Sequence, residues 1–209
     1  MILPLIAAAV VRIACVGDSI TQGVGTPQAA DKSFPESYPA RLGQLLGAGY
    51  EVGNWGAGGR TLIRRADRLA YGRALASDPS VVVICVGTND SKPYCWDRFA
   101  EDFVPDYERM VREFQARPSR PRVILCLPPP VFAGGRWGIR ESVLANEIRP
   151  RVRQVAASTG AEVLDLATPF RNRPELFPDR VHPSPEGAAR IAALVAARIR
   201  GGCSAEEKR

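Results

Sequence analysis

Five short runs of apolar, largely β-branched residues recur along the chain: Val10 to Val16, Tyr50 to Asn54, Val81 to Val86, Arg122 to Leu127 and Glu162 to Leu166. They are too short for core helices and mostly lack polar alternation, the pattern of strands buried on both faces. The segments between them carry helical spacing, which predicts helices from about Glu36 to Leu46, Thr61 to Ala76, Trp96 to Gln115, Ile139 to Ser158 and Pro185 to Arg200. Strands alternating with amphipathic helices predict a parallel sheet with right-handed crossovers, hence a three-layer α/β/α fold. Pro105 and Pro150 should kink or split two of the helices, because proline removes a donor and clashes with the preceding turn. Pro128-Pro129-Pro130 and Gly134-Gly135 mark a long loop after the fourth strand. We expect one domain over residues 1–200 and a frayed tail over 201–209.

Composition supports this picture and narrows the chemistry. A chain of 209 residues can bury roughly 70% of its unfolded surface, so neither disulfides nor metal are needed to hold a core. Cys15, Cys85 and Cys126 sit in apolar runs and Cys203 in a polar tail. No Cys-x-x-Cys pair or His/Cys cluster suggests zinc, so no metal is expected. The net charge of +6 comes from 25 Arg and 3 Lys scattered among acids. Pairs such as Glu108/Arg112 and Glu113/Arg117 resemble solvated helical faces rather than a nucleic-acid footprint. The apolar stretch Ile2 to Val11 includes Ala7-Ala8-Ala9 but lacks a basic leader region, and no run approaches the ~18 apolar residues of a membrane span. A cytoplasmic location is therefore favoured over a secreted or periplasmic one.

In an open parallel sheet ligands bind outside the carboxyl ends of the strands. Those ends carry Gly17-Asp18-Ser19-Ile20-Thr21, then Asn54-Trp55-Gly56-Ala57-Gly58-Gly59, then Gly87-Thr88-Asn89-Asp90; Asp179-Arg180-Val181-His182-Pro183 follows the fifth strand. Each block alone is an ordinary turn signal. Together, and in this order, they supply what one mechanism needs: a hydroxyl nucleophile, hydrogen-bond donors, an imidazole and a carboxylate. His182 is the sole histidine, so no other residue can be the imidazole base for Ser19. Asp179 lies three residues earlier, on a turn that Ser184-Pro185 converts into a helix, where its carboxylate can reach Nδ1 while Nε2 faces the serine. Glycines at 56, 58 and 59 allow close backbone approach to an oxyanion, and the Asn89 amide offers a second donor. Asp18 and Asp90 are expected to brace their loops, and Cys95 has no spare histidine to activate it.

These blocks resemble the SGNH hydrolases, the GDSL esterase/lipase family, over nearly the whole chain from Gly17 to Pro183. The resemblance implies a flavodoxin-like sheet of order 2-1-3-4-5 and ester hydrolysis without metal or cofactor. Ser19 would be the nucleophile, with the Ser19 N–H, Gly59 and Asn89 forming the oxyanion hole, His182 as base and Asp179 as its orienting partner. The run Gly87 to Pro93 with Trp96 is similar to the sialate O-acetylesterase-like branch, which implies removal of O-acetyl groups from carbohydrates. The first block has Ile20 where the family pattern has Leu, and Trp55 stands where a smaller residue is expected. The Gly-x-Ser-x-Gly elbow is absent, Thr21 replacing its second glycine, and no P-loop occurs. Lys92, Tyr94, Trp96, Arg136 and Trp137 could line a sugar platform, the alternative for Trp96 and Trp137 being helix-start core positions. Trp55 either walls an acyl pocket or packs under its loop. The expected function is a serine esterase removing small acyl groups, foremost acetyl, from a glycan or small-molecule ester through an acyl-enzyme. The alternatives are a lysophospholipase or thioesterase on longer chains, or a non-catalytic carbohydrate-binding protein.

Overall fold

A computed structural model describes residues 10–64, 71–134 and 137–201. Five strands, β1 (Val11–Gly17), β2 (Tyr50–Gly56), β3 (Val81–Cys85), β4 (Arg122–Leu127) and β5 (Glu162–Asp165), form one sheet of order β2-β1-β3-β4-β5. All four pairings are parallel. Every residue of β3 is buried, which explains its unbroken Val-Val-Val-Ile-Cys run: alternate side chains enter different layers and neither face meets water.

The helices fall on the two faces. The one-turn α1 (Ser19–Gln22) follows β1 directly. α2 (Tyr38–Leu46) and the final helix α8 (Pro185–Gly201) cover Ile13, Cys15, Val83 and Ile124. The other face, with Ala14, Val16, Ile84 and Leu125, is covered by α3 (Gly72–Ala76), α4 (Pro93–Phe99), α5 (Phe103–Gln115), the short α6 (Glu141–Val143) and α7 (Arg149–Thr159). Leu42 and Phe114 are fully buried in these layers; truncating such a residue to Ala costs about 2–5 kcal/mol. Cys15, Cys85, Cys95 and Cys126 are buried free thiols.

Both prolines disturb their helices as expected, each in its own way. The Trp96–Gln115 pattern begins earlier, at Pro93, and breaks at a 3₁₀ turn over Ala100–Asp102. α5 then restarts so that Pro105 falls in its first turn, where the missing N–H has no partner to lose. Ahead of Pro150 the chain widens into a π turn over Leu144–Ile148, with the Arg149 N–H reaching the Leu144 carbonyl. This five-residue spacing absorbs a proline that cannot donate to the carbonyl four residues back. The helix expected over Thr61 to Ala76 is shorter. Thr61 to Arg64 is not helical, Gly72–Ala76 is, and residues 65–70 lie outside the described residues. The expected tail beyond Gly201 also lies outside them, as does the start of the chain up to residue 9.

Candidate active site

β1 delivers Ser19 to the carboxyl edge of the sheet. Asp18 caps α1, its Oδ1 accepting the Ile20 N–H at 3.0 Å, and Gly23 ends the turn in the left-handed region. As the first residue of α1, Ser19 has an N–H with no intrahelical acceptor, free to face the cleft. The second oxygen of Asp18 is buried without a hydrogen-bond partner. Burial, opposed by the Ile20 N–H and reinforced by the charge of Asp90, pushes its carboxyl up to about 7.

His182 meets Ser19 from the far end of the chain. Its Nε2 lies 2.8 Å from Ser19 Oγ and its Nδ1 2.7 Å from Asp179 Oδ2. The other Asp179 oxygen accepts the backbone N–H groups of Val181 at 3.0 Å and His182 at 2.7 Å. This Asx turn fixes the carboxylate so that one oxygen shapes the loop while the other holds the ring. Burial works against the Asp179 charge, but the hydrogen bonds from His182 and Val181 outweigh it and hold the carboxyl below its usual range. In the tautomer that carries its proton on Nδ1 and hydrogen-bonds it to Asp179, Nε2 is an acceptor for the Ser19 hydroxyl. Ser184 Oγ accepts the Gly187 N–H at 3.2 Å and starts α8 immediately beyond. Gly25 stands behind the ring: a Cβ there would lie 2.5 Å from the Pro183 carbonyl and 2.9 Å from His182 Cβ, at φ +96°. The pair of glycines at 23 and 25 after α1 was the available signal for this contact.

The residues expected to form an oxyanion hole lie in the loop after β2 and the turn after β3. A Cβ on Gly58 would lie 3.9 Å from Ser19 Cβ, so this loop passes beside Ser19, and Gly59 adopts φ +76° over open space. Asn89, on the 3₁₀ turn Asn89–Ser91, gives one amide proton to the Arg60 carbonyl at 3.0 Å. An amide carries two such protons. Asn89 is thus brought against the Gly59–Arg60 turn, with a second amide N–H that this bond does not use.

The residues expected to form a substrate platform divide. Trp137 is half exposed, at φ +69°, and its ring meets the His182 ring edge-on at 5.3 Å. Tyr94 is also half exposed on α4. Lys92 is partly covered; burial lowers its ammonium against the opposing charges of Asp18 and Asp90, which ties it to the carboxylates beside Ser19. Trp96 is a core residue instead. It is 4% exposed, its Nε1 donates to Glu147 at 2.8 Å, Phe103 packs on its ring edge-to-face and Arg151 covers it. Trp55 likewise packs rather than lines the cleft. Its indole folds back along β2, with Nε1 2.8 Å from where a Gly53 Cβ would be, and the Arg73 guanidinium lies over the ring. It therefore points away from the carboxyl edge. Arg136 lies outside the described residues. Among the described residues no group of three His, Cys, Asp or Glu side chains could hold a metal ion, and no helix is long and apolar enough to cross a membrane.

A five-stranded parallel sheet thus carries serine, imidazole and carboxylate hydrogen-bonded in series on its carboxyl rim, in a protein of the α/β class. The chain belongs to the GDSL-like lipase/acylhydrolase family, whose profile matches residues 15–190. It is 35% identical to an acetylxylan esterase of Xylanibacter ruminicola over 91% of its own length, and spans 43% of the length of that relative. Among solved structures it is similar to a lipase/acylhydrolase from Enterococcus faecalis, with 26% identity, a TM-score of 0.71 and coverage of 91% of this chain and 96% of that one. A carbohydrate acetylesterase family member from Sinorhizobium meliloti shares the fold at 21% identity, with a TM-score of 0.68 over 91% of this chain and 98% of that one.

Proposed function

We propose that the chain hydrolyses short acyl esters, foremost acetyl esters on carbohydrates, through a covalent acyl-enzyme on Ser19. The observation that carries this reading is the continuous hydrogen-bond chain Ser19 Oγ to His182 Nε2 to Asp179, closed between residues 163 positions apart. Such a closure has no packing purpose that a hydrophobic contact would not serve better. In the proposed cycle Ser19 Oγ attacks the ester carbonyl as its proton passes to His182 Nε2. The carbonyl oxygen gains a negative charge, which in this reading the N–H groups of Ser19 and Gly59 and the second amide proton of Asn89 stabilise. Asp179 stabilises the imidazolium, which protonates the departing sugar oxygen as the tetrahedral intermediate collapses and the ester C–O bond breaks, leaving the acyl group on Ser19. A water molecule, activated by the same imidazole, releases the carboxylic acid and restores Ser19.

The acetyl and carbohydrate assignments draw on the 35%-identical acetylxylan esterase and on Trp137, an exposed ring beside His182; aromatic faces suit the apolar face of a pyranose. The test is acetate release from acetylated xylo-oligosaccharides by the purified protein and by Ser19→Ala. Release by the first and none by the second is expected. No release by either, with rapid cleavage of long-chain acyl esters instead, would overturn the acetyl-glycan assignment, and full activity in Ser19→Ala would overturn the nucleophile.

A further inference from the structure

From the geometry of the oxyanion side we infer that Asp90 is a positioning residue for the oxyanion hole, holding the Gly59 turn in register with Ser19 and Asn89. The inference rests on the ester-hydrolase reading above. The peptide from Gly59 to Arg64 lacks regular structure, so its amides have no ladder or helix to satisfy them. Three of them, on Leu62, Ile63 and Arg64, are bound by carboxylates from distant parts of the chain. Asp90 is completely buried; its Oδ1 accepts the N–H of Leu62 at 3.0 Å and of Ile63 at 2.9 Å, and its Oδ2 is also 3.0 Å from the Leu62 nitrogen. Asp106, on α5, accepts the Arg64 N–H at 2.9 Å.

Asp90 and Asn89 are neighbours on one 3₁₀ turn, and both reach this peptide: Asn89 takes the Arg60 carbonyl, Asp90 the Leu62 and Ile63 amides. The turn thus grips both sides of Thr61, two residues beyond Gly59. A donor helps only when its N–H lies where charge develops, within a few tenths of an ångström. Gly59 cannot fix its own position, because nothing packs where its side chain would be. A completely buried carboxylate accepting two backbone N–H groups is a rigid tether; a neutral acceptor would hold them more weakly, and a missing one would leave buried amides unpaired and the turn free to settle elsewhere. Removing Asp90 should also release the Arg60 carbonyl that orients the Asn89 amide, so both donors should fail together.

The test compares wild type with Asp90→Asn, which keeps the side-chain shape and one acceptor oxygen, and with Asp90→Ala, which keeps neither. Turnover of p-nitrophenyl acetate is measured alongside binding of phenylboronic acid, whose tetrahedral adduct on a serine places an oxygen where the oxyanion forms. For Asp90→Asn we expect kcat to fall about 10- to 100-fold, KM to stay within threefold, and boronic acid affinity to fall in step with kcat. Asp90→Ala should be worse, with Asn rescuing part of the loss. Combining Asp90→Asn with Asn89→Ala should cost less than the product of the two single effects, since both act on the same donors. Should Asp90→Ala fail to fold, Asp90→Asn and the double variant carry the comparison. A folded Asp90→Asn with a lowered Tm but kcat and boronic acid affinity within twofold of wild type would overturn the positioning role alone. A wild type inert toward both ester and boronic acid would overturn the hydrolase reading as well.

Discussion

The two halves of the site are built on different principles. The base side is local: Asp179, Val181 and His182 bond to one another within four consecutive residues, and only the last link, to Ser19, crosses the chain. The oxyanion side is long-range throughout. Asn89 reaches Arg60 29 residues away, Asp90 reaches Leu62 28 away, and Asp106 reaches Arg64 42 away. A local turn holds its geometry whenever its own residues are present. A loop hung from distant carboxylates is only as good as the packing that places them. The base side should therefore fail through its own atoms, the oxyanion side also through its supports.

The sharpest break is on the base side. His182→Ala removes the only imidazole and should lower kcat/KM roughly a million-fold, while Asp179→Asn, which keeps the Asx turn but loses the charge, should cost about 10,000-fold. Steady-state kinetics on p-nitrophenyl acetate checks both, and equal losses would mean that Asp179 does more than orient and stabilise the ring.

On the oxyanion side, Asn89→Ala should cost about 100- to 1,000-fold in kcat with KM changed only a few-fold, because the donor matters most once charge has developed. If Asn89 only shapes its turn, the same variant will show a lower Tm and near-normal turnover. Gly25→Ala tests whether the base side is as self-sufficient as its hydrogen bonds suggest. The new methyl would press on His182 Cβ and the Pro183 carbonyl and should lower kcat about 10- to 100-fold by displacing the ring. Unchanged kcat would mean that the Asx turn alone fixes His182.

The smallest effect concerns Asp18. Its carboxyl is raised from the ordinary value of 3.8 to about 7, so the folded protein holds that proton more tightly than the unfolded chain does. The stability this contributes is fully present below pH 3.8 and is lost as pH rises through 7. Asp18→Asn keeps the acceptor for the Ile20 N–H and cannot ionise. Its Tm should therefore gain on that of the wild type between pH 5 and pH 8, as thermal melts across that range would show; a constant difference would mean that Asp18 is ionised throughout.

The same contrast explains what could be read from the sequence. Strands buried on both faces announce themselves, and β3 and β4 lie where the Val81 and Arg122 runs put them, in the order 2-1-3-4-5. That Ser19, His182 and Asp179 meet, and that Asn89 lies against the Gly59–Arg60 turn, was legible because each sits in a short polar block ending a strand or preceding a helix. The segment from Thr61 was not. Its spacing suits a helix, but Asp90 and Asp106 capture the amides of Leu62, Ile63 and Arg64, and no local pattern reveals a partner so far away. The sequence left Trp96 open between sugar platform and core, and Trp55 between acyl-pocket wall and loop packing, for a related reason: Glu147, 51 residues from Trp96, and Arg73 over Trp55 decide how those rings are covered.

The central claim is that Ser19 is the atom that attacks. Treating the protein with a fluorophosphonate and mapping the adduct by peptide mass spectrometry tests it most directly. A single adduct is expected on the peptide containing Ser19, with labelling slowed severely in His182→Ala and absent in Ser19→Ala. An adduct on another residue, or an active esterase that takes no label at Ser19, would contradict it.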